Sequence, residues 1–197
     1  MHEQKRPLRS ELIAARARLT SDERAARSAL VAERIAKVPG FADAKVLALY
    51  APIGTELDVT EIARRALAGG IRLAYPRVVR GARRLAYAQC EPGRLVSGEL
   101  GTHEPPPGAP EILLADIECA IVPGLGFSTD GHRLGRGGGH YDATLAAMPR
   151  ALRVGVAFDV QVVPELPREP HDEPLDAVVT DLRVLLFPRH GPGGPRA

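Results

Sequence analysis

Arg133, Arg136 and Asp142 lie within one stretch, Val122 to Leu145, interleaved with Gly124, Gly126, Gly131, Gly135, Gly137, Gly138 and Gly139. Glycine lets a backbone bend sharply and come close to a ligand. Guanidinium groups present fixed, planar cations to phosphate or carboxylate. A carboxylate where such a loop turns into a helix can hold Mg²⁺ through oxygen. These residue types in this order describe an anion-binding loop, suited to a nucleotide phosphate. It is not a Walker A loop, because no Lys-Ser or Lys-Thr pair follows the glycines. It is not a dinucleotide fingerprint either: Gly135 and Gly137 supply the first Gly-x-Gly, but His140 stands where the third glycine belongs.

Other polar residues have two readings each. Lys5, Arg6 and Arg9 cluster at the start of the first expected helix. A helix start disfavours cations by a few tenths of a kcal/mol, roughly, which hints at an anionic partner; a basic N-terminus is also ordinary solvated surface. Glu56 follows Pro52 and Gly54 and either caps the helix beginning near Asp58 or faces a ligand. Asp172, after His171 in a Pro-rich segment, forms a turn or holds a metal. His103, His132, His140 and His171 have no i, i+4 pairing, which argues against zinc. No Gly-x-Ser-x-Gly elbow is present to support a serine nucleophile.

The elements that must position these groups follow from the apolar pattern. Leu8, Leu12, Ile13 and Ala15 begin one helical stripe, with Pro7 in its first turn. Thr20 and Glu23 have capping-box spacing and open a second helix running to about Lys37. Val46–Tyr50 and Ile71–Tyr75 read as buried parallel strands joined by a helix from Val59, the second strand ending at Pro76. Val78–Cys90 reads as a hairpin turning at Arg80–Arg83, and 91–110 as an irregular loop. Ile117–Val122 is the strand entering the glycine loop and Tyr141–Met148 the helix after it. Val154–Phe158, Ala177–Thr180 and Val184–Phe187 complete the strands. The expected fold is therefore a three-layer α/β/α domain over residues 1–188. Its central sheet is mostly parallel, with an N-terminal helical hairpin and an inserted β-hairpin; residues 189–197 form a disordered tail. In such sheets ligands gather at the C-terminal strand ends, where Ala51–Glu56, Pro123–Asp142 and Val160–Asp172 all fall.

Composition narrows the class. The 197 residues are 45% apolar and 25% charged, with no Trp and a net charge of +2, ordinary for a soluble globular chain. That charge and the few aromatics argue against a nucleic-acid partner. Cys90 and Cys119 are far apart and read as reduced thiols. Without an N-terminal apolar segment or a spanning run, a cytoplasmic protein with no membrane partner is expected.

Val122-Pro-Gly-Leu-Gly-Phe127 followed by Gly131-His-Arg-Leu-Gly-Arg-Gly-Gly-Gly-His-Tyr-Asp142 resembles the signature of the 5-formyltetrahydrofolate cyclo-ligase (5,10-methenyltetrahydrofolate synthetase) family. Lys5-Arg-Pro-Leu-Arg9, Glu56-Leu-Asp58, and His171-Asp172 with Leu175-Asp176 resemble its other segments, in the same order. The resemblance implies ATP-dependent conversion of 5-formyltetrahydrofolate to 5,10-methenyltetrahydrofolate through a phosphorylated formyl intermediate, with ATP and Mg²⁺ required, in one-carbon metabolism. It assigns ATP contacts to Lys5, Arg6, Pro7, Leu8 and Arg9, and to Arg133, Leu134, Gly135, Arg136, Gly137, Gly138, Gly139, His140 and Tyr141. It gives Mg²⁺ to Asp142 and Asp172. Ala51, Glu56 and residues 136–140 would touch the folate, Glu56 at the pterin edge, and Arg136 and Glu56 would serve catalysis. One departure is His140, where the family pattern has the first of two tyrosines; a histidine can carry charge near neutral pH. The expected partners are small-molecule substrates, with the chain a monomer or weak dimer. The alternatives are a sugar-phosphate isomerase or CoA-transferase-like enzyme, which would need no ATP, and a non-catalytic folate-binding protein.

Overall fold

Period-two alternation of apolar residues builds the centre of the molecule. The computed structural model describes residues 2–98 and 101–188. In chain order the elements are α1 (His2–Ala17), α2 (Ser21–Arg34), β1 (Val46–Ala48), α3 (Thr60–Ala68), β2 (Arg72–Arg77), β3 (Ala86–Gln89), β4 (Val96–Ser97), β5 (His103–Glu104) and β6 (Glu111–Ile112). They continue with β7 (Cys119–Val122), β8 (Gly126–Ser128), β9 (Arg133–Leu134), α4 (His140–Leu145), β10 (Leu152–Ala157), β11 (Val162–Val163), β12 (Ala177–Thr180) and β13 (Val184–Leu186). The main sheet has the order β13-β12-β10-β7-β1-β2-β3-β6. Its five central strands, from β12 to β2, are parallel, and β13, β3 and β6 extend it antiparallel.

Leu47, Leu49, Cys119, Ile121, Ala177 and Val179 point to the face covered by α2 and α3, through Val31, Ile62 and Ala66 among others. Val46, Ala48, Ala120, Val122 and Val178 point to the other face, where Phe127, Leu145 and Met148 pack. Burial on both faces is what a parallel strand between two layers requires, and each fully buried large aliphatic side chain contributes roughly 1.5–3 kcal/mol. The three-layer α/β/α architecture follows, with the second outer layer supplied by α4 and a small sheet of order β11-β8-β9.

Several local expectations change. The Thr20–Glu23 capping box forms, but the two N-terminal helices do not lie along one another: α1 packs against residues 159–161 and α2 against β12 and α3. Pro7 is inside α1, in its second turn, because the helix starts at His2. Pro76 does not end its strand. β1 pairs only with residues 72–74 of β2, so beyond that point β2 has β3 alone beside it, an edge position where proline costs no ladder bond. The hairpin is therefore β2–β3, with the first arm earlier than Val78. The glycine stretch contains β8 and β9, and α4 is shorter than Tyr141–Met148. The described part of 91–110 carries the β4–β5 pair. Cys90 and Cys119 are both buried thiols. Among the described residues no helix is long and apolar enough to cross a membrane. The expected tail, 189–197, lies outside the described residues.

Candidate active site

The C-terminal ends of β1, β7 and β10 deliver their loops to one cavity of about 360 Å³. Residues from 51–56, 123–142 and 169–172 line it, joined by Lys5 and Arg9 from α1 and by the wall of Pro76, Val78, Arg83, Leu85 and Glu104. Convergence at this end of a parallel sheet is what the direction of the strands dictates.

The glycine stretch is folded rather than slack. β8 and β9 pair Gly126 with Leu134 and Phe127 with Arg133, which turns Arg133 inward; its side chain is 3% exposed. Arg133 Nη2 donates to Asp142 Oδ1 at 2.5 Å, its guanidinium lies 5.5 Å from the Tyr141 ring centroid, and among the described residues its buried Nε has no partner. Gly137 and Gly139 take φ of 104° and 67°, values side chains rarely adopt, so the turn into α4 depends on them. Arg9 Nε donates to the Gly135 carbonyl at 3.0 Å and so ties α1 to this turn.

Lys5 and Arg136 meet carboxylates, and Arg16 meets a hydroxyl. Lys5, 5% exposed, donates from Nζ to Glu169 Oε2 and Asp172 Oδ2, both at 3.0 Å. Arg136, mostly exposed, donates from Nη2 to Glu56 Oε1 at 2.9 Å, and the Ile53 amide donates to Glu56 Oε2 at 3.0 Å. Arg16 is buried and donates to the Thr55 hydroxyl at 3.0 Å; burial lowers its pKa, and Glu56 opposes that shift. Burial holds the Tyr50 and Tyr141 hydroxyls well above the usual phenol range, so both are neutral lining groups.

Lys5, Arg9, Ala51, Glu56, the run from Arg133 to Asp142, and Asp172 thus share one cavity. Arg6 and Pro7 are exposed, and Leu8 packs with Leu12, Leu134 and Leu166 instead of facing the cavity. Asp142 Oδ1 also accepts from the Glu173 amide at 3.3 Å, which brings it beside the segment carrying Asp172. The group whose donor atoms lie within 4.8 Å of one another is Glu169, His171 and Asp172. His140 Nδ1 lies 2.9 Å from the Arg83 carbonyl, joining α4 to the 78–85 turn. Glu169, Arg16, Arg83 and Glu104 escaped the sequence reading. The signal for Arg16 was present: Lys5, Leu8, Arg9, Leu12 and Arg16 share one helical face, so cations occupy core-facing positions.

Comparison with known proteins bears on the family and the fold. The family model described as the 5-formyltetrahydrofolate cyclo-ligase family matches residues 1–181. A 5-formyltetrahydrofolate cyclo-ligase of Mycolicibacterium smegmatis is 33% identical over 148 residues, 72% of this chain and 76% of the relative. That of Escherichia coli K12 is 32% identical over 171 residues, 84% and 94%. The solved structure of Aquifex aeolicus 5,10-methenyltetrahydrofolate synthetase superposes with a TM-score of 0.82 at 33% identity, covering 96% of this chain and 95% of that one.

Proposed function

The chain belongs to the 5-formyltetrahydrofolate cyclo-ligase family, and from that premise we propose that this cavity holds ATP against the glycine turn and 5-formyltetrahydrofolate beside it. The chain is a ligase that performs the ATP-dependent conversion of 5-formyltetrahydrofolate to 5,10-methenyltetrahydrofolate. The observation carrying the site assignment is the meeting of Lys5, Arg9, Arg133 and Arg136 around a backbone turn built on positive-φ glycines.

The formyl oxygen of an N5-amide is a poor leaving group. Attack of that oxygen on the γ-phosphorus forms a C–O–P link, breaks the bond to the β-phosphate and releases ADP, while the N5 lone pair makes an N5=C iminium. N10 then donates its lone pair to the formyl carbon. Its proton leaves, the C–O bond breaks with release of phosphate, and the N5–CH–N10 amidinium remains. Phosphoryl transfer asks chiefly for positioning and charge neutralisation. Arg136 supplies a cation to the transferred group, and Arg133 and Lys5 hold the flanking phosphates. Ala51 and Glu56, on the loop after β1, face the folate, and Glu56 orients Arg136.

The carboxylates fit Mg²⁺. Asp142 and Asp172 both line the cavity, and their cation contacts run through Oδ1 and Oδ2 respectively. Oxygen donors of this kind, completed by substrate phosphates, suit magnesium; when bound it neutralises charge on the phosphates. The same reading takes the chain as a monomer or weak dimer working in the cytoplasm. The deciding assay follows the absorbance of the methenyl product from 5-formyltetrahydrofolate with and without MgATP. Product formed without nucleotide, or tight folate binding without ATP consumption, contradicts the reading.

A further inference from the structure

The cavity wall made by the end of β2, the 78–85 turn and β5 contains a carboxylate that the phosphoryl chemistry does not use. Glu104 is 8% exposed. Its Oε1 accepts from the Val78 amide at 3.3 Å and from the Thr102 hydroxyl at 2.8 Å. Among the described residues no donor reaches Oε2, and no cation pairs with the side chain. The other acids on this cavity are neutralised: Glu56 by Arg136, Asp142 by Arg133, and Glu169 and Asp172 by Lys5. Burying an unpaired carboxylate is expensive unless donors compensate it.

The backbone makes room for this side chain. A Cβ at Gly98 would lie 2.5 Å from Glu104 Cγ and Cδ, so glycine here leaves the carboxylate its present position beneath the β4–β5 pair. Around it on the same wall are Pro76, Val78 and Leu85. The apolar side chains of Pro76, Val78 and Leu85 beside one half-satisfied carboxylate, on a wall that Arg83 also joins, suit a flat ring with a polar N–H edge.

We propose that Glu104 Oε2 accepts from the amino-pyrimidinone edge of the reduced pterin, where the 2-amino group and N3–H are adjacent donors, and so sets specificity for the folate substrate. The inference rests on the cyclo-ligase reading. It moves the edge contact from Glu56, whose two oxygens already accept from Arg136 and Ile53, to an acid with an oxygen left over.

The test titrates wild type, Glu104→Gln and Glu56→Gln by calorimetry with 5-formyltetrahydrofolate and with its 2-desamino-2-methyl analogue, and measures the KM for ATP. Gln keeps an acceptor for Val78 and Thr102 but replaces the free oxygen with a donor. Wild type is expected to prefer the amino ligand by roughly 10- to 100-fold, the range for a hydrogen bond to a charged group. Glu104→Gln should lose that preference while its KM for ATP stays put. Retained preference in Glu104→Gln overturns the proposal. So does equal weakening of both ligands, or collapse of the preference in Glu56→Gln alone. If Glu104→Gln does not fold, wild type still decides: no preference for the amino ligand, or a co-crystal with Oε2 beyond hydrogen-bond distance of any pterin nitrogen, overturns it. Wild type that binds no 5-formyltetrahydrofolate refutes the cyclo-ligase reading as well as this one, which separates the two failures.

Discussion

Replacing Arg136 by Ala should separate activity from stability. The side chain is 57% exposed and makes one ion pair, to Glu56 at 2.9 Å. Solvent-screened pairs of this kind contribute about 0–1 kcal/mol. Glu56 is only 10% exposed, so the carboxylate left behind adds some cost, but the buried Arg16 still attracts it. A loss near 1 kcal/mol lowers the melting temperature of a chain this size by about 2–4 °C. The catalytic effect works on a different scale. A cation aimed at charge developing on the transferred group is worth about 10²–10³ in kcat when one such donor is removed. Arg136→Lys keeps the charge but loses the planar fork, so it should fall between. The assay is methenyl absorbance at saturating MgATP and 5-formyltetrahydrofolate, with thermal unfolding in parallel. Turnover within about threefold of wild type refutes the placement of Arg136 on the phosphoryl group. A melting loss above about 10 °C makes it a structural residue instead.

Lys5→Met should behave in the opposite way: it strands Glu169 and Asp172 without their shared cation, at about 3–5 kcal/mol, and calorimetry should show melting lowered by about 10 °C. A wild-type melting curve counts against Lys5 as an anchor of α1. Asp142→Asn should raise the Mg²⁺ concentration for half-maximal rate several-fold, and an unchanged magnesium titration removes Asp142 from the metal's shell. At alkaline pH the tyrosines set the limit. Tyr50, Tyr75 and Tyr87 are at most 3% exposed, and burial raises all three pKa values. The folded state keeps protons that the unfolded chain releases above pH about 10. Stability is therefore intact below that pH and falls above it by about 4 kcal/mol per pH unit for the three groups together. With no Trp in the chain, absorbance at 295 nm should report tyrosinate only as the protein unfolds; reversible ionisation near pH 10 with unchanged circular dichroism contradicts this.

What the sequence made legible was whatever depends on local pattern. The buried runs at Val46, Cys119 and Ala177 became parallel strands because nothing else suits short apolar runs between turn signals, and the loops after them had to open at one sheet end. Pro76 misled because its meaning depends on which strand lies beside it, and that is a long-range fact: β1 stops pairing at Ala74. Arg6 was grouped with Lys5 and Arg9 by proximity along the chain, yet helical geometry puts residues 5, 9, 12 and 16 on one face and residue 6 in solvent. Glu104 was invisible for a different reason. It sits in a stretch without periodicity, and the Val78 amide that its carboxylate accepts from lies 26 residues away in the chain, beyond any local window.

If the cavity is the nucleotide site proposed above, the pairing of charges inside it also bears on how nucleotide and metal would enter. Lys5, Arg133 and Arg136 are each bound to carboxylates in this structure. A bare triphosphate competing for them would release Asp142 and Asp172 as uncompensated anions beside its own charge, the most costly arrangement a partly buried site can hold. Delivered as the magnesium complex, the same triphosphate brings a cation to the acids it displaces from the arginine and the lysine. The exchange then trades ion pairs for ion pairs, with no charge left alone. Under the proposed assignment Asp142 and Asp172 would have two roles: they hold Arg133 and Lys5 in place, and they would hold the metal that neutralises the phosphates. On that assignment, Asp142 and Asp172 each pair with a different basic residue so that each would have a cation to give up to the phosphates.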